Sequence, residues 1–129
     1  MHFPDDCRYT KEHEWIRLDG DGLAAVGVTD YAQQELGDIV FVELQPVGTE
    51  VDAEAPFGTV EAVKTVSELF APIAGTIEAV NDALDGAPEL VNQDPYGAGW
   101  MVKLRPASAA DLDALMSADE YKRLIGADA

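Results

Sequence analysis

The stretch GTVEAVKTVSEL, residues 58–69, decides how the fold is read. It places Lys64, one of only four lysines in the chain, inside a run of β-branched and small residues. A helix has some claim here, because Phe57 to Phe70 lacks proline and Val60, Val63 and Phe70 could share part of one face. Against it, Thr59, Val60, Val63, Thr65 and Val66 are five β-branched residues in eight, and Gly58 and Pro72 bound the segment. The composition predicts two strands meeting near Lys64, a hairpin over residues 58–71. A tight turn favours Asn-Gly or Asp-Gly, yet the tip reads Ala62-Val63-Lys64-Thr65. Where a local rule is broken, a functional demand is one explanation. A lysine that merely solvates an exposed turn is the other.

Outward from the hairpin, the remaining chain also reads as mainly β. Trp15 to Leu18 and Leu23 to Val28 flank Asp19-Gly20-Asp21-Gly22, a strong turn signal, and predict a first hairpin. Thr29 can cap a short helix over Asp30 to Leu36 that Gly37 ends. Ile39 to Leu44, Glu50-Val51, Thr76 to Val80 and Trp100 to Leu104 read as strands, whereas Asp82 to Gly99 is rich in Gly and Pro and reads as an ordered loop. Trp15, Phe41 and Trp100 fall in apolar strand patterns and are expected in the core. Pro46 to Val51 and Pro72 to Ile77 echo one another, each running from proline through a turn glycine and threonine into a strand. The segment over residues 108–125 changes character. Ser108 with Asp111 and Ser117 with Glu120 each predict a capping box opening a short helix, with Leu112, Leu115 and Met116, then Tyr121, Leu124 and Ile125, as apolar faces.

Composition narrows the function. Residues 1–129 are expected to form one domain with a single core. Eight basic against 25 acidic residues give a formal net charge of −17, and no stripe of Lys and Arg could neutralise phosphates, which argues against nucleic acid and anionic membranes as partners. No apolar run approaches the roughly 18 residues of a membrane span, and the N-terminus lacks the order of a signal or transit peptide, so a cytoplasmic location is expected. Cys7 is alone and His2 and His13 are poorly spaced, so neither a disulfide nor a metal site is expected. No nucleophile with a positioned base and no phosphate loop appears, which points away from an enzyme.

Val60 to Leu69, followed by Ala71 to Ile77 with the lysine eleven residues before Gly75, resembles the modification hairpin of lipoyl carriers. More narrowly it resembles the H-protein family of the glycine cleavage system. YTKEHEW at 9–15, GVTDY at 27–31, Gly37, VFVEL at 40–44, PELVN at 88–92, DPY at 94–96 and Gly99-Trp100 extend that resemblance in order, from Tyr9 into the C-terminal helices. Biotin carriers share the hairpin plan but typically bracket the lysine with methionines, whereas Val63 and Thr65 flank Lys64.

The resemblance implies a lipoyl-domain-like barrel-sandwich hybrid of two antiparallel sheets, with one short internal helix and short C-terminal helices. It implies lipoic acid in amide linkage on Lys64, attached by a lipoate ligase or lipoyl transferase. The carrier, a monomer without catalytic activity of its own, would take the aminomethyl group of glycine from a pyridoxal-phosphate glycine decarboxylase (P-protein) to a tetrahydrofolate-dependent aminomethyltransferase (T-protein). A dihydrolipoyl dehydrogenase (L-protein) would then reoxidise it. Between visits the water-sensitive cargo needs shelter, and its protonated amine a carboxylate. By position in the motif, Glu14 is the candidate for that amine and Val28 for an apolar wall. Glu68 and Glu12 stand where some relatives carry aspartate and serine, and could equally be solvated surface charge. An H-like relay of lipoyl groups to other enzymes, or an unmodified β-rich interaction module, remain the alternatives.

Overall fold

The computed structural model describes residues 2–126. The strands are β1 (Arg8–Tyr9), β2 (Glu14–Leu18), β3 (Ala24–Val28), β4 (Ile39–Leu44), β5 (Glu50–Val51), β6 (Pro56–Ala62), β7 (Val66–Phe70), β8 (Gly75–Val80) and β9 (Val102–Pro106). The helices are α1 (Asp30–Leu36), the single turns α2 (Ala83–Gly86) and α3 (Leu90–Gln93), and α4 (Ala118–Ile125). All strand pairs are antiparallel. They form a six-stranded sheet in the order β1-β2-β3-β9-β8-β5 and a three-stranded sheet in the order β4-β6-β7.

The alternation of side chains across a strand explains how the larger sheet is buried on both faces. Ile16, Ala24, Val26 and Val28 join Val42, Val60, Leu69 and Ile77 in the main core. Their neighbours Trp15 and Ala25 point the other way, into an aromatic cluster with Phe3, Tyr9, Tyr96 and Tyr121 that α4 helps to close. Trp15 pairs across β2 and β3 with Gly27, and a Cβ on Gly27 would come within 2.8 Å of the indole Nε1. Only glycine leaves room for that ring, whose N–H donates to the Pro95 carbonyl at 3.0 Å.

Several expectations hold in detail. Thr29 caps α1 by accepting from the Ala32 N–H, and Gly37 ends the helix at φ 81°. Ser117 and Glu120 form the predicted capping box of α4. The two echoing stretches lie against each other, with Glu50 paired to Thr76 and Val51 to Gly75.

Others are corrected. Phe41 is exposed rather than core, because a bulge between Ile39 and Phe41 interrupts the alternation and leaves Val40 and Phe41 both facing solvent. Trp100 precedes β9 and is only partly buried, against the aromatic cluster. The Asp82 to Gly99 region holds the two short turns α2 and α3. Ser108 makes no side-chain cap, and Ala109–Ala114 is a 3₁₀ helix. Leu124 is exposed, since the helix docks through Ala118 and Tyr121. The two-residue β1 carried no strand signal of its own, being fixed by its pairing with β2 and by backbone bonds between Tyr9 and Met116.

Candidate functional site

Lys64 is exposed at the tip joining β6 to β7. The Ala62 N–H donates to the Thr65 carbonyl at 2.7 Å and the Val63 N–H to the Asp38 carbonyl at 3.1 Å, so the tip is anchored both within the hairpin and to the chain entering β4. Neither Val63 nor Lys64 adopts a positive φ, which is how the turn dispenses with Asn-Gly. The lysine stem lies over Gly37, where a Cβ would stand 3.4 Å from Cε and 3.8 Å from Nζ. Asn92 fixes that platform: its amide donates to the Gly37 carbonyl at 2.8 Å and its Oδ1 accepts from the Ile39 N–H at 2.9 Å.

Beside this platform a cavity of about 140 Å³ opens between α1 and β7, with Leu36, the residue before Gly37, in its wall. Glu14, Val28, Glu68 and Glu12 all line it. The structure thus brings together the four residues picked out by motif position. Glu14 and Val28 are direct cross-strand partners and both buried, whereas Glu12 and Glu68 are exposed.

The Glu14 side chain spans the seam between the sheets. From β2 its Oε2 accepts the Phe70 N–H of β7 at 2.8 Å, while Oε1 accepts from the Thr10 hydroxyl at 3.4 Å. The residue is 2% exposed, and among the described residues no cation lies within ion-pair distance of it. Burial pushes its carboxyl up to about 8, and the Phe70 N–H only partly offsets this. A second cavity, of about 260 Å³, lies against the same carboxyl between Tyr9, Phe70, Pro72 and Met116.

The far wall is braced by a group the sequence does not reveal. The Tyr121 hydroxyl of α4 lies 2.8 Å from both the Thr29 hydroxyl and His13 Nδ1. Thr29 starts α1 and His13 precedes Glu14, so one phenol ties together both sides of the cavity from behind. A consistent proton order has Thr29 donating to Tyr121 and Tyr121 donating to a neutral His13, whose pKa burial lowers. His13 holds φ 68°, an uncommon conformation for a non-glycine residue, in the loop that turns Glu14 inward. In sequence Tyr121 marks only an apolar helix face, and nothing near it announces a partner 108 residues away. Thr10 and the Phe70 N–H are equally silent.

A family model described as glycine cleavage H-protein matches residues 7–128. The chain belongs to that family. The glycine cleavage system H protein of Chlorobium limicola is 63% identical over 127 residues, covering 98% of this chain and 99% of the relative. That of Bacteroides fragilis is 56% identical over 127 residues, covering 98% of this chain and all of the relative. The crystal structure of a glycine cleavage system H protein from Mycobacterium marinum superposes with a TM-score of 0.88 at 43% identity, covering 96% of this chain and 99% of that one. H-proteins are lipoyl carriers, and the two antiparallel sheets described above are the lipoyl-domain-like fold of that class. An exposed lysine on a hairpin tip, its stem resting on a glycine beside a sheltered cavity, fits a covalently attached acyl arm.

Proposed function

We propose that this chain is the lipoylated shuttle of glycine cleavage, bearing lipoic acid on Lys64 after acylation by a lipoate ligase or lipoyl transferase. On this reading it takes the aminomethyl group from the pyridoxal-phosphate decarboxylase to the tetrahydrofolate-dependent aminomethyltransferase. It is then reoxidised by dihydrolipoyl dehydrogenase and catalyses none of these steps itself. Residues 1–129 act as one carrier domain in the cytoplasm. When attached, the lipoyl group supplies a dithiolane that takes up the one-carbon unit together with a reducing pair.

The chain's own contribution is to project, shelter and neutralise. The Lys64 tip projects the arm into solvent, and acylation replaces the lysine's ammonium with a neutral amide. Val28 and Leu36 offer apolar wall that excludes water from a folded-back arm. Glu14 waits at the wall with a buried carboxyl that no cation among the described residues pairs, and an incoming protonated amine supplies that partner. Glu12 and Glu68 add negative potential at the mouth. The observation that carries this reading is the adjacency of the exposed Lys64, on its Gly37 platform, to a cavity against which the buried Glu14 lies.

Reconstitution tests it. The lipoylated chain, added to purified glycine decarboxylase with pyridoxal phosphate, should support exchange of carbon dioxide with the glycine carboxyl group. Failure with a decarboxylase that is active with another H-protein would overturn the assignment.

A further inference from the structure

The outer face of the three-stranded sheet lies away from the core, and of its residues Glu68 also reaches the cavity. Val40, Phe41, Val63 and Val66 are all exposed there, Phe41 at 49% and Val63 at 76%. Strand register sets Phe41, Glu61 and Val66 in one cross-strand row, and the bulge turns Val40 to the same side. Val63 follows at the hairpin tip, its N–H bonded to the Asp38 carbonyl just before β4. The next outward row is Glu43, Thr59 and Glu68. Glu43, Glu61 and Glu68 flank this apolar patch, and Lys64 is the only lysine or arginine in the sequence between Arg17 and Lys103.

Exposed apolar groups clustered inside a ring of one charge sign mark a contact surface. Reach decides between the possible occupants. Enzymes acting on the far end of a lipoyl arm meet their target a long flexible chain away from the backbone. The enzyme that attaches the arm has no such slack: its acyl carbon must come to bonding distance of Nζ, which brings its surface down onto the residues flanking the lysine. We propose that the Val40, Phe41, Val63 and Val66 patch, with Glu43, Glu61 and Glu68 as its rim, is the docking face for the enzyme that acylates Lys64. That partner presents an apolar centre edged with Lys and Arg. The step itself balances with a lipoyl–phosphate anhydride made from lipoate and ATP. The Lys64 ammonium loses one proton to become nucleophilic, and Nζ bonds to the acyl carbon. The carbon–oxygen bond to phosphate then breaks with its electron pair, and a second proton leaves as the amide forms.

This inference rests on Lys64 being the acylated residue, and the experiment separates the two claims. Unmodified full-length chain is titrated into a lipoate–protein ligase with lipoate and ATP, and initial rates of acylation are followed by intact mass. Phe41→Glu and, separately, Val66→Glu should each raise KM at least tenfold while kcat stays within about twofold, because they spoil docking and leave the amine untouched. Val47→Glu, at an exposed valine outside the patch, should leave both constants unchanged. KM of the unaltered chain should rise with salt. Thermal unfolding checks that the variants are folded. Acylation of both patch variants at the wild-type KM would overturn the docking face and leave the function intact. Absence of acylation in the unaltered chain would overturn the function first.

Discussion

The two sheets differ in what their outer faces do. β3, in the centre of the six-stranded sheet, is buried at every position, one side facing the core and the other the aromatic cluster around Trp15 and Tyr121. The three-stranded sheet is buried on one side only, and its outer side shows Phe41, Glu61 and Val66 to solvent with Lys64 at its end. Fully covered strands supply rigidity, and half-covered ones supply a surface that other proteins can read. The contrast teaches that the covered sheet carries most of the stability while lending Glu14 and Val28 to the cavity. The surface open to partners lies on the other sheet, which Glu14 joins through its bond to Phe70.

Substitution can break that comparison. The largest loss of stability is expected at Trp15→Ala, which empties a fully buried indole site and leaves the Pro95 carbonyl without its donor. About 3–5 kcal/mol should be lost in denaturant unfolding. Tyr121→Phe keeps the ring stacked on Tyr9 but strands the buried Thr29 hydroxyl and His13 Nδ1. It should cost about 1–3 kcal/mol by the same measurement, and shorten the lifetime of the loaded arm without affecting acylation of Lys64.

Glu14 gives a smaller, pH-dependent effect. Its carboxyl ionises near 4.5 when unfolded and about 8 when folded, so the native state holds the proton more tightly. The stabilisation is complete below about 4.5 and lost as pH rises through about 8. Glu14→Gln should flatten the fall in stability across that window, as read from chemical denaturation at several pH values. Glu14→Ala should leave acylation intact and speed release of the cargo; unchanged release would remove Glu14 from the site. Least change of all is expected on the outer face, where Lys64→Arg should alter stability by no more than about 0.5 kcal/mol.

Much of this architecture was legible because local chemistry and tertiary structure agree. Thr29 and Gly37 bound α1 as capping rules require, and the β-branched run around Lys64 forms the hairpin it predicts. The failures share a cause in non-local geometry. A bulge moved Phe41 from the inner to the outer face, and no pattern in one strand reports a bulge that its partner's register creates. Tyr121 was readable as an apolar position on α4, but its hydroxyl partners come from segments far away in sequence. The 3₁₀ turn at Ala109–Ala114 replaced a capped helix although Ser108 and Asp111 had the right spacing, which shows a capping pair to be a permission and not a command. The cavity candidates came from the family motif, and the structure adds that they line one space, with Glu14 reaching from one sheet to a strand of the other.

Intact mass spectrometry of the unmodified chain and of Lys64→Arg, each incubated with lipoate, ATP and a lipoate–protein ligase, tests the central claim most directly. A single lipoyl adduct on the former, mapped to Lys64 by peptide fragmentation, and none on the latter is the predicted result. An unmodified wild-type chain, or an adduct that persists when residue 64 is arginine, would contradict it.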